Sequence, residues 1–120
     1  MLVQLGYEVT DLTKDPGKEK YSVKLTSNGL NVPIAVEISA NTKYIWLTAF
    51  LGPADSTNGS KCFALLKQNF IAQPCQFYVT EKGNLMFGLP VENKGVTNAW
   101  LKDRLESVAN KIGESKTIWQ

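Results

Sequence analysis

The order of predicted elements between Lys43 and Trp119 constrains the fold of this chain more than any other feature. The segment reads as a strand (KYIWLTAFL), a helix (SKCFALLKQNF), a two-strand hairpin (CQFYVTEKGNLMFGLPV) and a long closing helix (TNAWLKDRLESVANKI). Runs of strands interrupted by only two helices are typical of an antiparallel sheet packed against helices. We therefore expect a small α+β fold.

Two more strands precede this segment. Apolar residues alternate with more polar ones over Tyr21–Leu25 and again over Val32–Ile38, which is the period of a half-buried strand. Asn28 and Gly29 between them suit a tight hairpin, because both tolerate a positive φ. Pro33 indicates an edge or strand-initiating position, since it has no N–H to donate.

The start of the chain offers little helix. Met1 to Leu5 form at most one helical turn, which Gly6 would end. The predicted order is therefore (short α)-β-β-β-α-β-β-α, in one domain over residues 1–120 whose N-terminal helix is short or truncated. A length of 120 residues suits a single core.

Composition excludes several classes of protein. Apolar residues make up 43% of the chain and charged residues 20%, as in an ordinary soluble domain. The 13 basic and 11 acidic residues are interleaved, without the basic stripe of a nucleic-acid-binding protein. No apolar run is long enough to span a membrane, and no signal peptide is visible. We expect a cytoplasmic protein that binds neither nucleic acid nor membrane.

The chain contains no histidine. Histidine is the commonest general base and metal ligand, and it activates the usual serine and cysteine nucleophiles. We predict no catalytic residue, no metal site and no cofactor. A small hydrolase or ligand-binding enzyme stays as an alternative that a deep pocket with paired carboxylates would favour.

Two cysteines, Cys62 and Cys75, are too few for a disulfide framework or a zinc site. Both are expected to be small buried apolar residues, since Cys62 falls on the apolar side of a helix and Cys75 opens a strand. Whether the two pair with each other stays open at this stage.

Three surfaces are candidates for function. Tyr44, Trp46 and Phe50 lie on the second face of a strand that is apolar on both faces, so they are either covered core or a contact for a partner. Trp100 and Arg104 lie one helical turn apart, and both residue types are enriched in binding hot spots. The loop of residues 89–95 reads as a plain strand-to-helix connection.

The chain resembles the type III secretion chaperone-like superfamily, including its YbjN-like branch, over about two-thirds of its length. The residues that carry the resemblance are Tyr44–Leu47, a leucine-leucine-x-x-asparagine helix over Phe63–Asn69, the hairpin at Gly83–Leu85, and Val91–Asn93 leading to Leu101 and Leu105. Secretion chaperones proper are acidic, whereas this chain has a pI near 8.5, which favours the looser chaperone-like branch.

The resemblance implies a non-enzymatic protein-binding module that forms a homodimer and docks an extended partner segment on apolar strips. It also implies that the helix Ser60–Phe70, or the strand next to it, lies at the dimer contact. The partner-binding residues are then expected to be Tyr44, Trp46, Phe50, Trp100 and Arg104. The alternative is a regulatory or sensory interaction domain of a larger assembly. Single-stranded RNA binding through sheet aromatics is a weaker one, because basic residues do not accompany them.

Overall fold

A computed structural model describes residues 9–11, 20–27, 29–39 and 41–120. These follow the predicted order of strands and helices, with two short elements that the sequence did not predict, a first strand at Val9–Asp11 and a last helix at Lys116–Trp119. The elements are β1 (Val9–Asp11), β2 (Lys20–Ser27), β3 (Leu30–Ile38), β4 (Tyr44–Pro53), α1 (Gly59–Ala72), β5 (Gln76–Val79), β6 (Asn84–Glu92), α2 (Asn98–Glu114) and α3 (Lys116–Trp119). The helical turn expected over Met1 to Leu5 lies outside the described residues, as does Asn28 of the predicted hairpin.

Within the described ranges, the strands form one antiparallel sheet in the order β1-β2-β3-β4-β6-β5. β3 pairs with β4 only over Ala35–Ile38. Pro33 therefore lies in the half of β3 that has no β4 partner, so β3 is an edge strand at this position. This agrees with the edge position that its missing N–H predicts.

The core lies between α2 and one face of the sheet, here called the inner face. Directly opposed residues of antiparallel strands share a face, and the register aligns Val36 with Leu47 and Leu47 with Leu89. All three are buried, and they belong to one apolar cluster with the predicted stripe of α2. That stripe consists of Leu101, Leu105, Val108 and Ile112. The α+β sandwich is thus confirmed.

The two long helices begin at different kinds of cap. Thr97 caps α2 as predicted, because its hydroxyl accepts a hydrogen bond from the Trp100 N–H at 3.2 Å. Ser56, Thr57 and Ser60 are hydroxyl residues that suit the cap of α1, but Asn58 caps it instead by accepting from the Lys61 N–H at 3.0 Å. Thr57 is engaged elsewhere, since it donates to Asp55 through both its hydroxyl and its N–H.

The C-terminal residues pack back onto the body, as the size of Trp119 predicts. The indole N–H of Trp119 donates to the Ile112 carbonyl at 2.9 Å. Gly113 is suited to a helix end because glycine tolerates a positive φ, but it is buried within α2, which continues to Glu114. Ser115 ends it instead, its hydroxyl donating to the Lys111 carbonyl at 2.7 Å.

Candidate partner-binding surfaces

The strand β4 displays three of the predicted contact residues on the face of the sheet opposite α2, here called the outer face. Tyr44 is 42% exposed and Phe50 is 58% exposed, while Trp46 is half-buried. They lie on one face because the alternate residues Ile45, Leu47 and Ala49 fill the core. The second face of this strand is therefore not closed core.

Neighbouring strands extend this apolar strip. Phe50 lies opposite Met86 of β6, and Trp46 lies opposite Pro90. Between them Gly88 leaves room for the ring of Tyr78, since a Cβ there would lie 3.2 Å from the ring atom Cε1. Burial by these neighbours raises the pKa of the Tyr78 phenol.

Trp100 and Arg104 lie in the first two turns of α2, both half-buried. The Arg104 guanidinium carbon lies 5.8 Å from the Trp100 ring centre, a cation–π distance. The two side chains line a cleft of about 350 Å³ together with Pro74 and the end of β6. The remaining lining residues are Leu89, Pro90, Val91, Glu92, Lys94 and Gly95.

The structure thus brings together two of the three surfaces that the sequence singled out. The loop of residues 89–95, which reads as a plain connection, forms one wall of the cleft that Trp100 and Arg104 line. Pro90 joins this cleft to the outer face, because it also lies opposite Trp46. Trp46 and the pair Trp100 and Arg104 therefore lie on either side of Pro90, whereas Phe50 lies farther along β4, opposite Met86.

Sequence reasoning missed which way the apolar side of α1 faces. Phe63, Leu66, Phe70 and Ile71 are 64%, 68%, 79% and 71% exposed, whereas Leu65 and Ala72 face the core. We call these four exposed residues the outward stripe. A signal was present, because apolar residues occur almost all round this helix, which is typical of a helix covered on more than one side.

Two apolar clefts flank α1. One, of about 250 Å³, separates α1 from β5 and is lined by Leu65, Leu66, Phe77 and Val79 among others. The other, of about 390 Å³, separates α1 from α3, with Phe63, Phe70 and Ile118 in its wall. The outward stripe is therefore continuous with apolar surface on both of its sides.

Polar contacts hold α1 in this position. The side-chain amide of Asn69 brackets the backbone of Phe77: its Oδ1 accepts from the Phe77 N–H at 2.6 Å, and its Nδ2 donates to the Phe77 carbonyl at 3.3 Å. At the helix end, the Lys111 ammonium donates to the carbonyls of Ala72 and Gln73 at 3.0 and 2.8 Å. A cation at a helix C-terminus also interacts favourably with the helix dipole.

The two cysteines do not pair, and only one of them is buried. Cys75 is 2% exposed, as expected, and burial raises the pKa of its thiol against the opposing effect of Lys111 and Arg104. Cys62 is exposed, contrary to the prediction, because α1 turns that side of its surface away from the core. It lines the cleft between α1 and β5.

The described ranges contain no group of three or more histidine, cysteine, aspartate or glutamate side chains arranged to hold a metal ion. Among the same residues, no helix is long and apolar enough to cross a membrane.

Comparison with known proteins identifies the fold. No family model matches the chain, and a comparison with curated proteins gives no match either. The chain is similar to a chain in the structure of the heterodimeric complex ExoU-SpcU from the type III secretion system of Pseudomonas aeruginosa. The TM-score is 0.65 at 16% identity, over 98% of this chain and 93% of that one. The chain therefore shares the α+β fold of that chain.

Proposed function

We propose that this protein is a non-enzymatic, chaperone-like module that binds other proteins and acts in the cytoplasm. In this proposal residues 1–120 form one domain, and two copies associate through the outward stripe of α1. An extended segment of a partner protein docks on the apolar strip of the outer face. The fold supports this reading, because the similar chain belongs to a complex of two different proteins.

The observation that carries the proposal is the outward stripe. Two phenylalanines, a leucine and an isoleucine are each more than 60% exposed on one helix. Burying such a side chain contributes about 1.5–3 kcal/mol, so four of them on a rigid helix favour association. A two-fold contact would bring the same stripe of both copies together, as self-complementary interfaces require.

The outer face supplies the second surface. Phe50 and Tyr44 stay exposed there, and Met86 and Pro90 continue the strip across β6. Because this face is opposite the core, a bound segment would not compete with the packing of α2. The dimer contact and the partner contact are thus separate in this proposal.

Light scattering across a dilution series tests the dimer. We expect the mass of two chains for the native protein and of one chain for Phe70→Asp, because a charge at the centre of the stripe must be desolvated on association. Lys82→Asp is the control, since Lys82 is exposed in the turn between β5 and β6. It is expected to leave the dimer intact.

A native protein that stays monomeric at every concentration would contradict the dimer. It would favour the alternative of an interaction domain within a larger assembly. The circular dichroism of Phe70→Asp separates loss of association from loss of folding, because Phe70 is 79% exposed and contributes little to the core.

A further inference from the structure

The cleft beside Trp100 lies where β5 stops covering β6. β5 pairs with β6 only as far as Gln76 opposite Gly88, so the residues Leu89–Glu92 have no β5 partner. Pro74, Trp100 and Arg104 lie beside this uncovered half of β6 and line the cleft. It is a shallow, open cleft between the α1–β5 connection, β6 and α2.

The backbone of this edge is unsuited to adding another strand. Asn69 binds both the N–H and the carbonyl of Phe77, so these two groups point away from β6. Phe77 and its partner Phe87 therefore exchange no backbone hydrogen bonds, and it is the backbone groups of the even-numbered β6 residues that point toward β5. After Gly88, the next β6 residue whose backbone groups point toward the β5 side is Pro90, which has no N–H to donate. A ligand in the cleft is therefore expected to be recognised mainly through its side chains.

The charges that line the cleft favour an anion. Arg104 and Lys94 are both in its wall, with Glu92 as the opposing charge, which leaves one net positive charge. In the described part of the chain, neither cation has a carboxylate within 4.0 Å. The first turn of α2 contains no acidic residue, so the positive end of its dipole adds to this potential.

The cleft also has an apolar wall. The Trp100 ring and the rings of Pro74 and Pro90 line it, and the Arg104 guanidinium lies over the Trp100 ring. An apolar side chain can pack against these rings while an adjacent carboxylate reaches Arg104 or Lys94. Arginine suits this role because its planar group can donate two parallel hydrogen bonds to a carboxylate.

We propose that this cleft binds an acidic side chain that is adjacent to an apolar one in an extended protein segment. This rests on the proposed function only in that the occupant is a protein. It assigns the partner a chemistry, namely a short acidic-apolar motif. It also gives Trp100 and Arg104 a role separate from that of Tyr44, Trp46 and Phe50.

Nuclear magnetic resonance with two matched peptides tests the proposal on the full chain. The probes are acetyl-Leu-Asp-Leu-amide and acetyl-Leu-Asn-Leu-amide, which differ only in charge. We expect the aspartate peptide to shift the indole N–H resonance of Trp100, assigned by its loss in Trp100→Phe, in a saturable and salt-sensitive manner. The asparagine peptide is expected to bind about fivefold more weakly.

Variants of the cleft locate the effect. Arg104→Gln is expected to abolish the difference between the two peptides, and Arg104→Lys to restore part of it. Lys102→Gln is the control, because Lys102 is exposed on the same helix but does not line the cleft. Equal shifts with both peptides, shifts confined to the other two indoles, or no shift with either peptide would each overturn the proposal.

The same titration with Phe70→Asp separates this proposal from the previous one. If that variant is monomeric and still binds the aspartate peptide, the cleft acts independently of association. If the native protein is a dimer but no peptide shifts Trp100, only the inference about the cleft fails.

Discussion

Asn69 has the effect of an additional strand at the edge of the sheet. Its amide forms a pair of hydrogen bonds with the backbone of Phe77, the same donor and acceptor arrangement that a neighbouring strand would offer. An unpaired edge is a site for unwanted pairing. The asparagine of the leucine-leucine-x-x-asparagine helix thus has a structural role, which its place in a sequence pattern did not indicate.

Asn69→Asp tests this role with almost no change in shape. A carboxylate still accepts from the Phe77 N–H, but its second oxygen faces the Phe77 carbonyl, where the amide donated. We expect the free energy of unfolding to fall by about 1–3 kcal/mol, measured by urea denaturation. The exposed neighbour Gln76, changed to alanine, is the control and should stay within about 0.5 kcal/mol.

An Asn69→Asp protein as stable as the native one would mean that water replaces the amide donor without cost. In that case the two hydrogen bonds between the Asn69 amide and the Phe77 backbone would not contribute to the position of α1.

At the scale of the helix, α1 and α2 show what periodicity predicts and what it does not. The stripe Leu101, Leu105, Val108 and Ile112 of α2 is buried as its spacing indicates. The stripe of Phe63, Leu66 and Phe70 in α1 has equally regular spacing but is exposed. Spacing reveals that a helix has an apolar face, but it does not reveal whether that face packs on its own chain.

The attachment of α1 to α2 can be weakened at one residue. Lys111→Met keeps the apolar stem but removes the ammonium that donates to Ala72 and Gln73 at the end of α1. Hydrogen bonds from a charged group contribute more than neutral ones, so we expect a loss of about 1.5–3 kcal/mol in thermal or urea unfolding.

Lys102→Met is the matched control for this change. Lys102 forms an exposed pair with Glu106 at 4.0 Å, and such pairs contribute little. Equal destabilisation by both substitutions would show that the helix end is satisfied by water and does not depend on Lys111.

At the scale of the whole molecule, the sandwich and the order of its longer strands and helices were predictable, whereas the short elements β1 and α3 were not. The alternation over Val32–Ile38 and the cap at Thr97 each act locally, so local sequence reveals them. The cleft at Trp100 was not predictable, because it joins Pro74, the end of β6 and α2, which are distant in sequence. The cap at Asn58 was also missed, since three neighbouring residues suit that role equally well.

The reactivity of the two thiols, Cys62 and Cys75, tests whether copies of the chain associate. Cys75 is buried with a raised thiol pKa, and Cys62 is exposed beside Leu66 of the outward stripe. We expect a disulfide reagent at neutral pH to modify one thiol per native chain and two in denaturant, because reactivity follows thiolate character and access. The rate at Cys62 should fall as the protein concentration rises through the dimer range.

Phe70→Asp provides the control for that measurement. In a monomeric variant the rate at Cys62 should no longer depend on protein concentration. A rate that is independent of concentration in the native protein as well would place Cys62 outside any contact between copies.

The blocked edge beside β5 has a consequence for how copies of this chain accumulate. Asn69 occupies the backbone groups of Phe77, and Pro90 offers no N–H further along. Backbone pairing at an open edge can repeat without end and produce fibres, whereas side-chain contact about a two-fold axis is complete after one partner. Association of copies at this edge is therefore expected to stop at a particle of finite size and not to grow into a filament.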